Sequence, residues 1–157
     1  MTRPRFMGTR GGVVCETRHF PIVLMRFEGA LDLDALQRYD AWQEQHVETL
    51  VAGDHRVVWV ADVRAAQVPP PDVRRWMAER WRHNAERYRA HVIGEYVVAD
   101  SSVLRGVFAL FRLINPRLQV EIFVGFEPAM RRARAILLDA GIEVAALSDD
   151  QLATLFD

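Results

Sequence analysis

The stretch Val57-Val58-Trp59-Val60-Ala61 constrains this chain more than any other part of it. It is an unbroken apolar run, rich in β-branched residues and closed by Asp62, with no polar face to offer water. Such a run reads as a strand buried on both sides, the pattern of a parallel sheet whose crossover connections cover it.

The flanking sequence supplies those connections in alternation. Val13 to His19 and Ile22 to Glu28 are two β-rich runs around Phe20-Pro21, spaced for an antiparallel hairpin. Leu33, Leu36, Tyr39, Ala41, Trp42, Val47 and Leu50 then recur near helical period up to Gly53, with Asp32 or Asp34 as the cap. Past Asp62, a loop reaches Pro69-Pro70-Pro71-Asp72. Proline in a first helical turn forfeits no hydrogen bond, so a helix starts there and runs from Val73 to about Ala90. Val92 to Ala99 is the next strand, and Asp100-Ser101-Ser102 caps a helix from Val103 to Ile114 that Asn115-Pro116 stops. Val120 to Val124 is the last strand. Glu127-Pro128 opens a final amphipathic helix ending at Gly141, and Ser148-Asp149-Asp150 caps a short tail helix through Phe156.

The order is ββαβαβαβα. It predicts a single α/β domain built on a mixed, mostly parallel five-stranded sheet with flanking helices and right-handed crossovers. Residues 1–12 hold Pro4, Gly8, Gly11, Gly12 and three arginines, and read as a flexible N-terminal arm before a domain spanning 13–157. A chain of 157 residues fits one domain and can bury a core without metal or disulfide.

A formal net charge of -1 gives no global field that would steer the protein to nucleic acid or a membrane. All 20 basic residues are arginine, which most simply reflects a GC-rich genome and lowers the meaning of any single Arg. The one cysteine, Cys15, excludes an intrachain disulfide; inside a strand it reads as a small core hydrophobe in preference to a reactive thiol. Met1 to Gly12 is polar and basic, unlike a signal segment, and the longest apolar stretches are broken by Arg. The expectation is a cytoplasmic protein with no membrane span.

The common catalytic and cofactor signatures are missing. There is no GxxxxGK[ST] or GxGxxG phosphate loop, and Gly8, Gly11 and Gly12 precede the first strand where a dinucleotide turn would follow it. The five histidines are scattered without ligand spacing, and no GxSxG elbow occurs. No cofactor, metal or catalytic residue is expected on this basis. Asp62 and Asp100 each close a strand; if those strands are neighbours, Asp62, Asp100, Ser101 and Ser102 could edge one ligand cleft. The plainer reading makes them strand-end and capping residues.

Two surfaces stand out. In the helix 103–114, Val103, Leu104, Val107, Phe108, Phe111 and Ile114 join other apolar residues around nearly the whole circumference. A surface helix needs one apolar stripe, so this one is covered on more than one side: by neighbouring helices, by a second copy in a homodimer or another protein partner, or by a small apolar ligand. The helix after Asp72 carries Arg74, Arg75, Arg82 and Arg89 with Trp76, Trp81 and Tyr88 interleaved. A solvated face is the first reading, a basic surface for an acidic protein partner the second, and nucleic acid the last, since the whole chain is not basic.

Three stretches carry a resemblance. They are the hairpin and helix from Val13 to Gly53, the strand Val57 to Asp62 with its loop and helix, and VVADSSVLRGVFALFRLINP (97–116) followed by a strand and FEPAMRRARAILLDAG. In this order and size the chain resembles the SpoIIAA-like branch of the STAS superfamily, related in shape to the SEC14 lipid-binding fold. The resemblance implies a bacterial, non-catalytic regulatory or scaffolding module for protein interaction. Its SEC14 side implies a carrier or sensor of a small apolar ligand, and an enzyme using the strand-end carboxylates ranks third. In anti-sigma factor antagonists of this family a serine in a D-S-S-G turn is phosphorylated. The matching place here, Gln67 to Asp72, has no hydroxyl, so that switch does not carry over. Asp100-Ser101-Ser102 imitates the lettering one strand later with Val103 in place of glycine, and reads as a helix cap.

Overall fold

A computed structural model of the chain describes residues 3–114, 120–145, 148 and 151. The elements are β1 (Arg5–Met7), β2 (Gly11–Glu16), β3 (Ile22–Gly29), α1 (Leu33–Ala52), β4 (Val57–Asp62), α2 (Pro71–Tyr88), β5 (Val92–Val98), α3 (Ser102–Ile114), β6 (Val120–Phe123) and α4 (Phe126–Asp139). The six strands lie side by side in chain order. β1, β2 and β3 pair antiparallel; β3, β4, β5 and β6 pair parallel.

That order has a direct consequence. Each of α1, α2 and α3 connects one parallel strand to the next in the same lateral direction, and right-handed crossovers then place all three on one face. Leu36, Tyr39, Val73, Tyr88, Leu104 and Phe108 accordingly share a core with Val23, Met25, Trp59 and Val97. α4 follows the last strand and packs Ala129, Met130, Ala133 and Leu137 against Ile22, Leu24, Val58, Val60, Tyr96 and Val98 on the other face. Alternate residues of β4 thus enter different cores, which explains its unbroken apolar run.

The sheet has six strands where the sequence predicts five. The extra one, β1, lies in the stretch expected to be a flexible arm. Its glycines serve close packing. A Cβ on Gly12 would meet the Phe6 carbonyl oxygen, and one on Gly11 would meet the Glu28 carbonyl oxygen. Phe6 anchors the strand on α1, with ring centroids 5.9 Å from Tyr39 and 5.8 Å from Trp42.

The local signals behave as the sequence predicts. Asp32, not Asp34, caps α1: its carboxylate accepts from the Ala35 N–H at 2.9 Å and the Thr9 N–H at 3.0 Å. α2 starts with Pro71 after Pro70. α4 ends in a Schellman turn, with Gly141 at φ 77° and the Ile142 N–H donating to the Leu137 carbonyl at 2.8 Å. Ser148 and Gln151 exchange capping hydrogen bonds at 2.9 and 3.2 Å; the remainder of the expected tail helix, and the Asn115-Pro116 stop, lie outside the described residues.

Candidate functional site

α3 is split between core and solvent. The Ser101 hydroxyl oxygen accepts from the Leu104 N–H at 3.5 Å and its carbonyl from the Arg105 N–H at 3.0 Å, so Ser101 acts as a helix cap. The Arg105 guanidinium donates to the Asp100 carbonyl at 2.6 Å and the Ala99 carbonyl at 3.3 Å, tying the helix to the end of β5. Leu104 and Phe108 are buried, and Val107 packs beside them. Val103, Leu110 and Leu113 are exposed by 60%, 52% and 79%. At 3.6 residues per turn these three fall within an arc of about 80°. The other sequence-singled residues of this helix, Phe111 and Ile114, have side chains outside the described set. Gly106 lies in the same arc, and a Cβ there would meet nothing within 4 Å. The chain's own helices therefore cover one side of α3 and leave an apolar stripe uncovered.

The strand-end carboxylates do not build a cleft. β4 and β5 are neighbours, with Asp62 opposite Val98. Yet Asp62 is buried and occupied: Arg64 donates to its two oxygens at 2.9 Å each, and Arg26 lies 3.4 Å away. Burial alone would raise this carboxyl; the Arg64 hydrogen bonds and the charges of Arg64 and Arg26 outweigh it and hold the group below its ordinary range. Asp100, Ser101 and Ser102 are exposed. An α/β crevice forms where strand order reverses, and this sheet never reverses.

On α2, Arg75, Arg82 and Arg89 are exposed and Arg74 is half-buried. The aromatic residues between them turn away. Tyr88 is buried, and Trp76 and Trp81 pack against the core. Arg80 and Arg87 pair across to α1: Arg80 with Asp40 at 2.5 Å and with Glu44, Arg87 with Glu44 at 2.9 Å and Glu48 at 2.8 Å. A stacking platform for bases needs exposed rings beside the cations; α2 presents the cations without the rings.

The sequence reading missed a third place. Between the sheet and α1, α2 and α3 lies a cavity of about 90 Å³ lined mainly by apolar and aromatic side chains, among them Met25, Trp59, Trp81 and Phe108. Glu95 is on its wall, and burial pushes this carboxyl up to about 7. The signal was present: a lone acid in the run Val92 to Val98, at the parity that faces the same core as Val97. Cys15 is buried in that core as well, and burial pushes its thiol up, away from the reactive thiolate. Among the described residues, no three His, Cys, Asp or Glu side chains gather as a metal site, and no helix is long and apolar enough to cross a membrane.

The mixed sheet in chain order, with three described helices on one face and one on the other, is a fold that this chain shares with a solved protein. That protein, an anti-sigma factor antagonist from Mycobacterium paratuberculosis, matches with a TM-score of 0.54 at 18% identity, covering 79% of this chain and 94% of that one. No family model and no curated protein matches the sequence.

Proposed function

We propose that the chain is a non-catalytic regulatory module that works by protein–protein contact, and that the exposed stripe of α3 is its docking face, occupied by a second copy of the same chain. The observation that carries this is Gly106. A glycine inside a helix destabilises it by about 1 kcal/mol relative to alanine, and nothing among the described residues packs closely enough to call for one at this position. Set among Val103, Leu110 and Leu113, it lets a second helix backbone approach closely. Exposed apolar surface of this kind marks interaction sites. The likeness to an anti-sigma factor antagonist is consistent with a protein partner.

Two other readings are weaker. A lipid carrier needs a mostly apolar site of about 300–1,000 Å³; the apolar cavity here is about 90 Å³, and the pocket of about 370 Å³ beside α4 is edged by charged side chains, Arg18, Glu127, Arg131, Arg134 and Glu143. An enzyme built on Asp62 would have to free a carboxylate already held by two arginines.

The test is sedimentation velocity across a range of protein concentrations. A dimer that becomes monomeric in the Leu110→Glu/Leu113→Glu variant, with an unchanged circular dichroism spectrum, is expected. A wild-type chain that stays monomeric at the highest concentration, or a double variant that still dimerises, overturns the assignment of this face.

A further inference from the structure

Glu95 sits in β5 between Trp59 of β4 and Val120 of β6 in register. Its neighbour Tyr96 packs toward α4 and its neighbour-but-one Val97 toward α1, α2 and α3. Strand alternation therefore directs Glu95 to the three-helix side, where it lines the interior cavity. Among the described residues its carboxylate has no hydrogen-bond or ion-pair partner. The guanidinium on the cavity wall, Arg80, is committed to Asp40 and Glu44.

Glu95 is half-buried on a wall made mainly of apolar and aromatic side chains, and a carboxylate in such a site favours a cation or a set of donors beside it. The surroundings indicate which is missing here. The walls present the aromatic rings of Trp59, Trp81 and Tyr39, whose faces attract cations. Asn84, only 4% exposed, also lines the cavity, and its side-chain oxygen is a buried acceptor left without a donor. The buried unmet groups of the wall are thus the Asn84 amide oxygen and the Trp59 indole N–H, and the Glu95 carboxylate lines the same cavity. Size sets the other limit. A cavity of about 150 Å³ holds benzene, so about 90 Å³ restricts the occupant to fewer heavy atoms, on the order of four.

We propose that this cavity binds a small primary alkylammonium ion, with Glu95 as its counter-ion and the tryptophan and tyrosine rings as its walls. The ammonium N–H groups donate to the Glu95 carboxylate, and the short alkyl part replaces void against Met25 and Phe108. This is independent of the α3 docking face, since it uses the opposite, buried side of the same layer. Other titratable groups facing Glu95 are Tyr39 and Asp40 from α1 and Arg80 from α2. The Tyr39 hydroxyl is raised well above its ordinary range, chiefly by burial; Asp40 is ion-paired with Arg80; and burial pushes Glu95 up to about 7.

The experiment is titration of the full chain with isopropylammonium chloride at constant ionic strength, followed through the tryptophan indole N–H signals by NMR. Isopropanol serves as the uncharged probe of the same shape. Saturable shifts with isopropylammonium at pH 8 are expected, with affinity about tenfold lower at pH 6, where Glu95 is mostly protonated. At pH 8, isopropanol and the Glu95→Gln variant are each expected to bind at least tenfold more weakly. Absence of saturable binding at pH 8, equal binding of isopropanol, or unchanged affinity in a folded Glu95→Gln variant overturns the proposal. Should that variant fail to fold, the comparison of pH 8 with pH 6 in the wild-type chain decides.

Discussion

Glu16 and Glu95 are both carboxylates drawn into the fold, and their surroundings drive them in opposite directions. Burial raises Glu16, but hydrogen bonds from the Arg18 side chain and backbone and from Arg3 outweigh it and hold the group at about 2. Burial raises Glu95 with nothing set against it, and the group goes up to about 7. A carboxyl whose folded value lies above its unfolded value makes the folded state bind more protons between the two. Stability then falls as pH rises through that window. For Glu95 the window runs from 4.5 to about 7, a span worth about 3 kcal/mol. The Glu95→Gln variant removes this effect. Urea unfolding is expected to find it more stable than wild type at pH 8 by about 3 kcal/mol, with the difference shrinking toward zero near pH 4. A variant less stable than wild type at pH 8 would show that the carboxylate has a partner in the fold.

At the scale of the element, α3 combines two demands that a single helix face cannot meet. Leu104 and Phe108 enter the core, with Phe108 5.6 Å from the Trp81 ring, while Val103, Leu110 and Leu113 face outward. Gly106 separates the two demands experimentally. Because a Cβ there meets open space, the Gly106→Ala variant is expected to stabilise the monomer by about 0.5–1 kcal/mol through helix propensity alone. The same methyl would hold a second helix away, so the dimer is expected to weaken at least tenfold. Chemical unfolding and sedimentation equilibrium on the one variant read both effects. Gain in stability with undiminished association would remove glycine from the interface.

At the scale of the whole molecule, the unreversed strand order makes the two sides of the sheet unequal. Three helices cover one face, and α4 is the helix packed against the other. Leu137 is wholly buried there, in the last turn of α4, against strands that carry the core of both faces. Core Leu→Ala changes typically cost 2–5 kcal/mol, more where surroundings cannot collapse. Among the described residues no second helix lies on that face to move inward, so Leu137→Ala is expected near the upper half, about 3–5 kcal/mol, by denaturant midpoint. A loss under about 1 kcal/mol would mean that α4 is not an integral layer.

Much of this was written in the sequence by local rules. The unbroken run at Val57 announced a strand buried on both faces, and Asp32 and Gly141 marked helix ends, because each depends only on near neighbours. The strand–helix alternation even carried the fold resemblance. Tertiary structure decided the rest, because the deciding partners are distant along the chain. Gly11 and Gly12 read as looseness until β1 and the far end of β3 were seen to press against them. Asp62 read as a possible cleft residue until Arg26, beside it in register on β3, was seen to occupy it along with Arg64. Glu95 was one acid in an apolar strand until three helices, from residues 33 to 114, were seen to frame a cavity on its side of the sheet. Composition and period say which residues leave water; only the packing says what they meet when they do.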